Sequence, residues 1–187
     1  MKIYNEILKN NNNNNGDIMD ITIIKGNIHL FGDDIDTDAI IPGAYLKTTD
    51  PKELASYCMA GIDEEFSTKV KDGDIIVAGE NFGCGSSREQ APISIKHTGI
   101  KAIVAESFAR IFYRNCINIG GLIPITCEGI NKQIQNLKDG DTIEIDLQNE
   151  TIKINSKILK CGAPKGIEKE ILDAGGLVQY TKNKLKK

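Results

Sequence analysis

The chain has 187 residues, 40% of them hydrophobic, and its 23 Lys and Arg against 26 Asp and Glu leave a formal net charge of −3. That length sustains one well-buried domain and is short for two. The slightly acidic balance excludes the basic stripe of a nucleic-acid binder, and no apolar run reaches the length of about 18 residues that a membrane helix needs. Five cysteines, Cys58, Cys84, Cys116, Cys127 and Cys161, are widely spaced with no C-x-x-C, and His29 and His97 are the only histidines. This is the usage of reduced thiols in a cytoplasmic protein, with too few ligands together for a zinc or iron–sulfur site. No signal-peptide apolar region opens the chain.

In chain order, residues 1–18 hold six consecutive asparagines, Asn10 to Asn15, and are expected to be a disordered extension. A single domain is expected over 19–180 and a lysine-rich tail over 181–187. Ile21–Ile24 and Ile28–Phe31 read as two strands around a hairpin-like turn at Lys25-Gly26-Asn27. Next comes Gly32-Asp-Asp-Ile-Asp-Thr-Asp38, whose four carboxylates lack the spacing and closing Glu of a calcium loop. Their mutual repulsion favours a fixed cation nearby. Ile40–Thr49 shows no period and reads as a loop. Asp50 as cap with Pro51 in the first turn opens a helix expected to run to about Ala60 and stop at Gly61.

The stretch from Ile75 to Lys96 carries the strongest signal. Ile75–Ala78 is a short apolar strand, followed by Gly79, Gly83 and Gly85, then Ser86-Ser87-Arg88-Glu89 and a helix-compatible segment. A strand feeding a glycine loop and a helix N-terminus presents unpaired backbone N–H groups to an anion. Neither nucleotide fingerprint fits, so a carboxylate is the expected anion. Ser86-x-x-Glu89 and Ser87-x-x-Gln90 are also capping boxes, which would leave either serine as a mere helix cap. Pro92 argues otherwise. Proline is easiest in the first turn, so the regular helix should begin near Glu89–Ala91 and leave Ser86 to Arg88 in the loop. Arg88 is shaped to bind a carboxylate bidentately.

Ile100–Ala105 reads as a second buried strand, completing a parallel βαβ unit. A helix over Ser107 to Asn115 places Arg110 and Arg114 on one face, read as surface or structural ion pairing. Gly120-Gly121 precedes a strand at Leu122–Thr126. The last third reads as mostly β: Thr142–Leu147 with Ile143, Ile145 and Leu147 on one face, a turn at Gln148–Glu150, and Thr151–Ile154. A short helix from Pro164 to Ala174 ends at Gly175-Gly176, and Lys182 to Lys187 read as a frayed end.

Three motifs together, Gly83-Cys-Gly-Ser-Ser-Arg-Glu89, Ser107-Phe-Ala-Arg-Ile-Phe112 and Asp34-Ile-Asp-Thr-Asp38, resemble the small subunit of 3-isopropylmalate dehydratase. The resemblance runs from about Ile21 to Gly176. It implies an α/β fold, the aconitase-type swivelling β/β/α domain, with a mixed sheet flanked by helices. It also implies a hydro-lyase subunit of leucine biosynthesis that isomerises 2-isopropylmalate to 3-isopropylmalate, inactive without its large subunit. Ser86 matches the base, and Asp38, in the loop bordering the site, is carried over with it as a catalytic residue; Ser87 and Arg88 would bind substrate carboxylate. Lys47 and Thr48 fall in the loop that distinguishes substrate side chains, where Lys47 suits a second distal carboxylate or lines an isopropyl group with its stem. The resemblance places a 4Fe-4S cluster on the large subunit, with none and no metal on this chain, in a heterodimer or heterotetramer acting on a small hydroxy-dicarboxylate. Nucleic acid and membrane are not expected partners. Within the family the rival is a methanogen homoaconitase small subunit; outside it, a non-catalytic anion-binding or assembly module. Gln90 stands where the family usually has His, and Gly120-Gly121 is one residue longer than in many relatives.

Overall fold

The computed structural model describes residues 23–186. The asparagine run and the rest of the expected extension lie outside the described residues.

The strands are β1 (Ile23–Leu30), β2 (Ile75–Ala78), β3 (Ala102–Ala105), β4 (Ile123–Thr126), β5 (Thr142–Asp146), β6 (Thr151–Ile154) and β7 (Lys157–Lys160). They form one sheet in the order β4-β3-β2-β1-β5-β6-β7. The β4 to β1 side is parallel and the β1 to β7 side antiparallel. The helices are α1 (Thr37–Ile40), α2 (Pro51–Ser56), α3 (Phe66–Lys69), α4 (Gln90–Thr98), α5 (Arg110–Ile119), α6 (Asn131–Ile134), α7 (Ile167–Asp173) and α8 (Leu177–Leu185).

Alternation along β2 and β3 splits their side chains between two cores, as the period of two requires. Ile76, Ala78, Ile103 and Ala105 pack with Leu54, Ile95, Phe112 and Cys116 from α2, α4 and α5. Ile75, Val77, Ala102 and Val104 share the other core with Ile143, Ile145, Ile152 and Ile154. The antiparallel half therefore curls over the parallel half, giving the two sheet layers and one helix layer implied by the resemblance. Leu147 packs against that second core beside Ile143 and Ile145, as its alternation predicts.

The expected hairpin at Lys25-Gly26-Asn27 is absent: these residues run through the middle of β1. The first half of β1 pairs antiparallel with β5, Gly26 opposite Ile143, and the second half pairs parallel with β2 from Ile28 opposite Ile75. Gly26 is there because a Cβ would collide with the Gly73 carbonyl, so a close approach, not a turn, demands it. α2 ends at Ser56, short of the expected Ala60, and Tyr57 to Ile62 continue as turns. α5 begins at Arg110, later than Ser107, because Phe82 and Phe108 form a parallel bridge that holds the preceding residues extended. β7 was not expected; Asn155-Ser156, with Asn155 at φ 53°, is the tight turn that pairs it with β6. Lys182 to Leu185, read as frayed, continue α8.

Candidate active site

Two loops leave the same end of the parallel sheet and run side by side. The Phe31 N–H donates to the Val77 carbonyl (2.9 Å), Asp34 to Glu80 (2.9 Å), Gly83 to Ile35 (2.7 Å) and Thr37 to Cys84 (2.9 Å). The acidic segment thus extends β1 alongside the glycine loop that follows β2. Gly83 sits at φ 79°, and a Cβ there would strike the Phe112 ring, so the loop lies flat on α5.

The acidic loop distributes its charge unevenly. Asp33 Oδ1 accepts from the Glu80 N–H (2.6 Å) and Asn131 Nδ2 (3.0 Å), which hold its pKa below the ordinary value. Asp34 accepts from Asn81 Nδ2 (2.8 Å), and Asp36 caps α1 through the Ala39 N–H (2.6 Å). Among the described residues only Asp38 gains the expected cation: Arg88 Nη1 donates to Asp38 Oδ1 at 2.5 Å and to the Ile41 carbonyl at 3.2 Å. Amide donors, which need no charge, satisfy the other three.

Ser86 and Ser87 lie exposed in the loop, outside any helix. α4 begins at Gln90 with Pro92 as its third residue, in the first turn, and no side chain caps it. The capping-box alternative is therefore overturned, by the steric preference that Pro92 signals. The backbone N–H groups of Gly85, Ser86 and Ser87 donate to no acceptor among the described residues, leaving three consecutive donors open to a ligand.

The structure adds a residue that the sequence did not single out. Thr37 is only 1% exposed, and its Oγ1 lies 3.0 Å from Ser86 Oγ and donates to the Ser86 carbonyl at 3.1 Å. A threonine between two aspartates looks like loop filling, and only the pairing of the two loops reveals its target. At Cys84, next to the serines, burial and then the Asp36 and Asp34 charges push the thiol up, which disfavours the thiolate a nucleophile needs.

The predicted substrate loop comes next. Gly43–Tyr45 form a single 3₁₀ turn, and a Cβ on Gly43 would lie 3.8 Å from Asp38 Oδ1 and 3.9 Å from Arg88 Nη2. Tyr45 stacks face to face on Tyr57, ring centroids 3.9 Å apart. Lys47 is exposed, with no ion pair or hydrogen bond among the described residues. Thr48 Oγ1 accepts from the Asp50 N–H at 3.1 Å, beside the cap of α2, and no hydrogen bond joins it to Arg88 or Asp38. Arg110 and Arg114, read as ion-paired, are exposed and unpaired among the described residues.

A cluster does not fit this chain's donors. Among the described residues no three of His, Cys, Asp and Glu come together to hold a metal ion. Cys58, Cys116 and Cys127 are buried in the cores, and burial pushes the Cys58 and Cys127 thiols up to about 12. No helix among the described residues is long and apolar enough to cross a membrane.

Curled mixed sheet, glycine loop and paired acidic loop together define a swivelling domain of aconitase type. The family model described as Aconitase C-terminal domain matches residues 43–129. The methanogen homoaconitase small subunit of Methanocaldococcus jannaschii is 66% identical over 87% of this chain and 93% of its own length. The 3-isopropylmalate dehydratase small subunit of Caldicellulosiruptor bescii is 50% identical over 88% of this chain and 98% of its own. A crystal structure titled 3-isopropylmalate dehydratase, also from Methanocaldococcus jannaschii, matches with a TM-score of 0.80 at 65% identity, covering 87% of this chain and 95% of that one. The chain belongs to the family of small subunits of aconitase-type hydro-lyases, which work with a large subunit.

Proposed function

We propose that this chain supplies the base and the carboxylate clamp of a two-subunit dehydratase that interconverts 2-isopropylmalate and 3-isopropylmalate through an alkene. The observation that carries this reading is the exposed Ser86 hydroxyl, held 3.0 Å from Thr37 Oγ1 in a loop with three unpaired amides, two residues before Arg88 with its guanidinium fixed by Asp38. Ser86 Oγ takes the proton α to a substrate carboxylate and returns it at the neighbouring carbon. A serine oxygen is a strong base only as an alkoxide, so its negative charge needs donors aimed at it. Thr37 has one proton and two acceptors at nearly equal distance. While Ser86 is neutral, that proton rests on the Ser86 carbonyl; once Ser86 is an alkoxide, rotation about the Cβ–Oγ1 bond turns it to the oxygen. Arg88, oriented by Asp38 and the Ile41 carbonyl, and Ser87 grip the carboxylate. The large subunit holds the iron–sulfur cluster, which when bound supplies the Lewis acid that accepts the departing hydroxyl. The substrate is a small hydroxy acid with two or three carboxylates, and the assembly is a heterodimer or heterotetramer.

A second reading, homocitrate and homoaconitate as substrates, is favoured by Lys47, an unpaired ammonium on the loop that abuts the clamp at Gly43. It would suit the extra distal carboxylate of a tricarboxylate.

One experiment separates all of these. The small subunit and its large subunit are reconstituted anaerobically and assayed with isopropylmalate and homoaconitate, in wild type, Ser86→Ala and Lys47→Ala. Ser86→Ala should still form the complex and lose at least about a thousandfold in turnover; unchanged turnover leaves only a binding module. If Lys47 meets a distal carboxylate, Lys47→Ala should lower kcat/KM for homoaconitate about 10- to 100-fold, the value of a charge-assisted contact of about 1.5–3 kcal/mol, and spare isopropylmalate.

A further inference from the structure

The Ser107-Phe-Ala-Arg-Ile-Phe112 motif, prominent in the sequence, takes no part in the site chemistry above. Its start is bound to the glycine loop: the Phe82 N–H donates to the Ser107 carbonyl (3.0 Å), Ala109 to Phe82 (3.0 Å), and the Asn81 N–H to Ser107 Oγ (2.8 Å). The Phe82 and Phe112 rings meet edge to face at 5.4 Å. The start of α5 is therefore fixed to the glycine loop that carries Ser86, through Asn81, Phe82 and Gly83.

The inner side of α5 is explained by packing, since Phe112 and Cys116 enter the core and Tyr113 donates to Glu168 (3.0 Å). The outer side is not. Arg110, Ile111 and Arg114 fall within about 100° of the helix circumference. Ile111 is 51% exposed, and neither arginine meets a carboxylate among the described residues of a chain with 26 acidic side chains. Two unpaired guanidinia flanking an apolar side chain have the composition of an interface anchor. Completing the site requires a second polypeptide to approach Ser86 from outside, and α5 is anchored to the loop on which Ser86 sits.

We propose that the outer face of α5, Arg110 and Arg114 around Ile111, docks on a carboxylate-bearing rim of the large subunit. The inference rests on the two-subunit reading above. Charge complementarity selects acidic groups, and the partly exposed setting makes the contact salt-sensitive.

The test measures the dissociation constant of the small subunit from the cluster-bearing large subunit of the same organism, anaerobically, at 50 and 200 mM salt. The variants are Arg110→Glu/Arg114→Glu, the milder Arg110→Ala/Arg114→Ala, and a matched control, Lys132→Glu/Lys153→Glu, on exposed sites elsewhere. The reversal should weaken binding at least about 30-fold and the alanine pair about 5- to 10-fold with a shallower salt dependence, while the control stays within about threefold. At saturating large subunit, kcat of every variant that folds should stay within about twofold. A dissociation constant within about threefold of wild type for both arginine variants, or equal weakening by the control, overturns the proposal. Failure of the two wild-type subunits to associate overturns it as well. A wild-type pair that binds but does not turn over refutes the catalytic reading alone, because the binding measurement stands without activity.

Discussion

Thr37→Val is the sharpest probe of how Ser86 is prepared. Valine keeps the shape and removes the hydroxyl, so the buried site loses two hydrogen bonds without a cavity. The contact to the Ser86 carbonyl at 3.1 Å contributes about 1 kcal/mol net; the one to Ser86 Oγ contributes less in the resting state, because that exposed oxygen turns to water. For a chain of this size about 1 kcal/mol lowers Tm by about 2–4 °C. Turnover should suffer more. Loss of one donor to a developing oxyanion costs about 100- to 1,000-fold in kcat where the donor is aimed in advance. Thr37 must rotate to serve, so the lower end, about 100-fold, is expected with KM little changed. The assay is steady-state turnover of the reconstituted enzyme, with differential scanning calorimetry on the small subunit alone. Thr37→Ser, which keeps the hydroxyl, should recover most of the rate. A Thr37→Val enzyme within about threefold of wild type in kcat would show that the hydroxyl does not serve the base.

Two further outcomes are expected. Tyr57→Ala removes the ring on which Tyr45 stacks and frees the Gly43–Thr48 loop; KM should rise about 5- to 20-fold with kcat held within about twofold, and equal losses in both would place Tyr57 in the fold rather than the loop. Asp74 is 4% exposed and accepts from the Lys71 N–H and His29 Nε2, both at 2.9 Å. Burial pushes its carboxyl up, but these donors outweigh burial and leave its pKa below the ordinary 3.8. A depressed carboxylate stabilises the fold above its unfolded value and loses that contribution as pH falls through its folded value. Asp74→Asn should therefore cost about 2 kcal/mol at pH 7, and the Tm gap to wild type should shrink below about pH 4; a gap that stays constant to pH 3 contradicts the assignment.

The serine loop was legible because a single residue broke a tie: the capping boxes and the ligand loop explain Ser86 equally until Pro92 fixes where α4 begins. The βαβ unit was legible for the ordinary reason that short apolar runs between glycines leave few alternatives. β1 was misread because Lys25-Gly26-Asn27 has the composition of a turn. A central strand tolerates it when one neighbour's backbone comes too near for a side chain, and that is information carried by Gly73, 47 residues on. Thr37 escaped for a related cause, since its role exists only once two loops from different strands are zipped together. The unpaired state of Arg110 is likewise invisible in one dimension, where Glu106 stands four residues before it; in the fold that carboxylate accepts from the Gly129 and Asn131 N–H groups instead.

Sharing β1 between two ladders has a consequence for how the enzyme half is born. Its pairs with β5 run from Ile23–Asp146 to Asn27–Thr142, so a nascent chain must emerge through Asp146 before that strand has both flanks. The entropy of closing so long a loop grows only as about (3/2)RT ln n, yet the wait for synthesis is unavoidable. Until then the aspartate segment hangs from a ribbon secured along one edge, held by β2 and the glycine loop alone. A chain halted before Asp146 leaves that ribbon without its second flank, whatever its serines are doing.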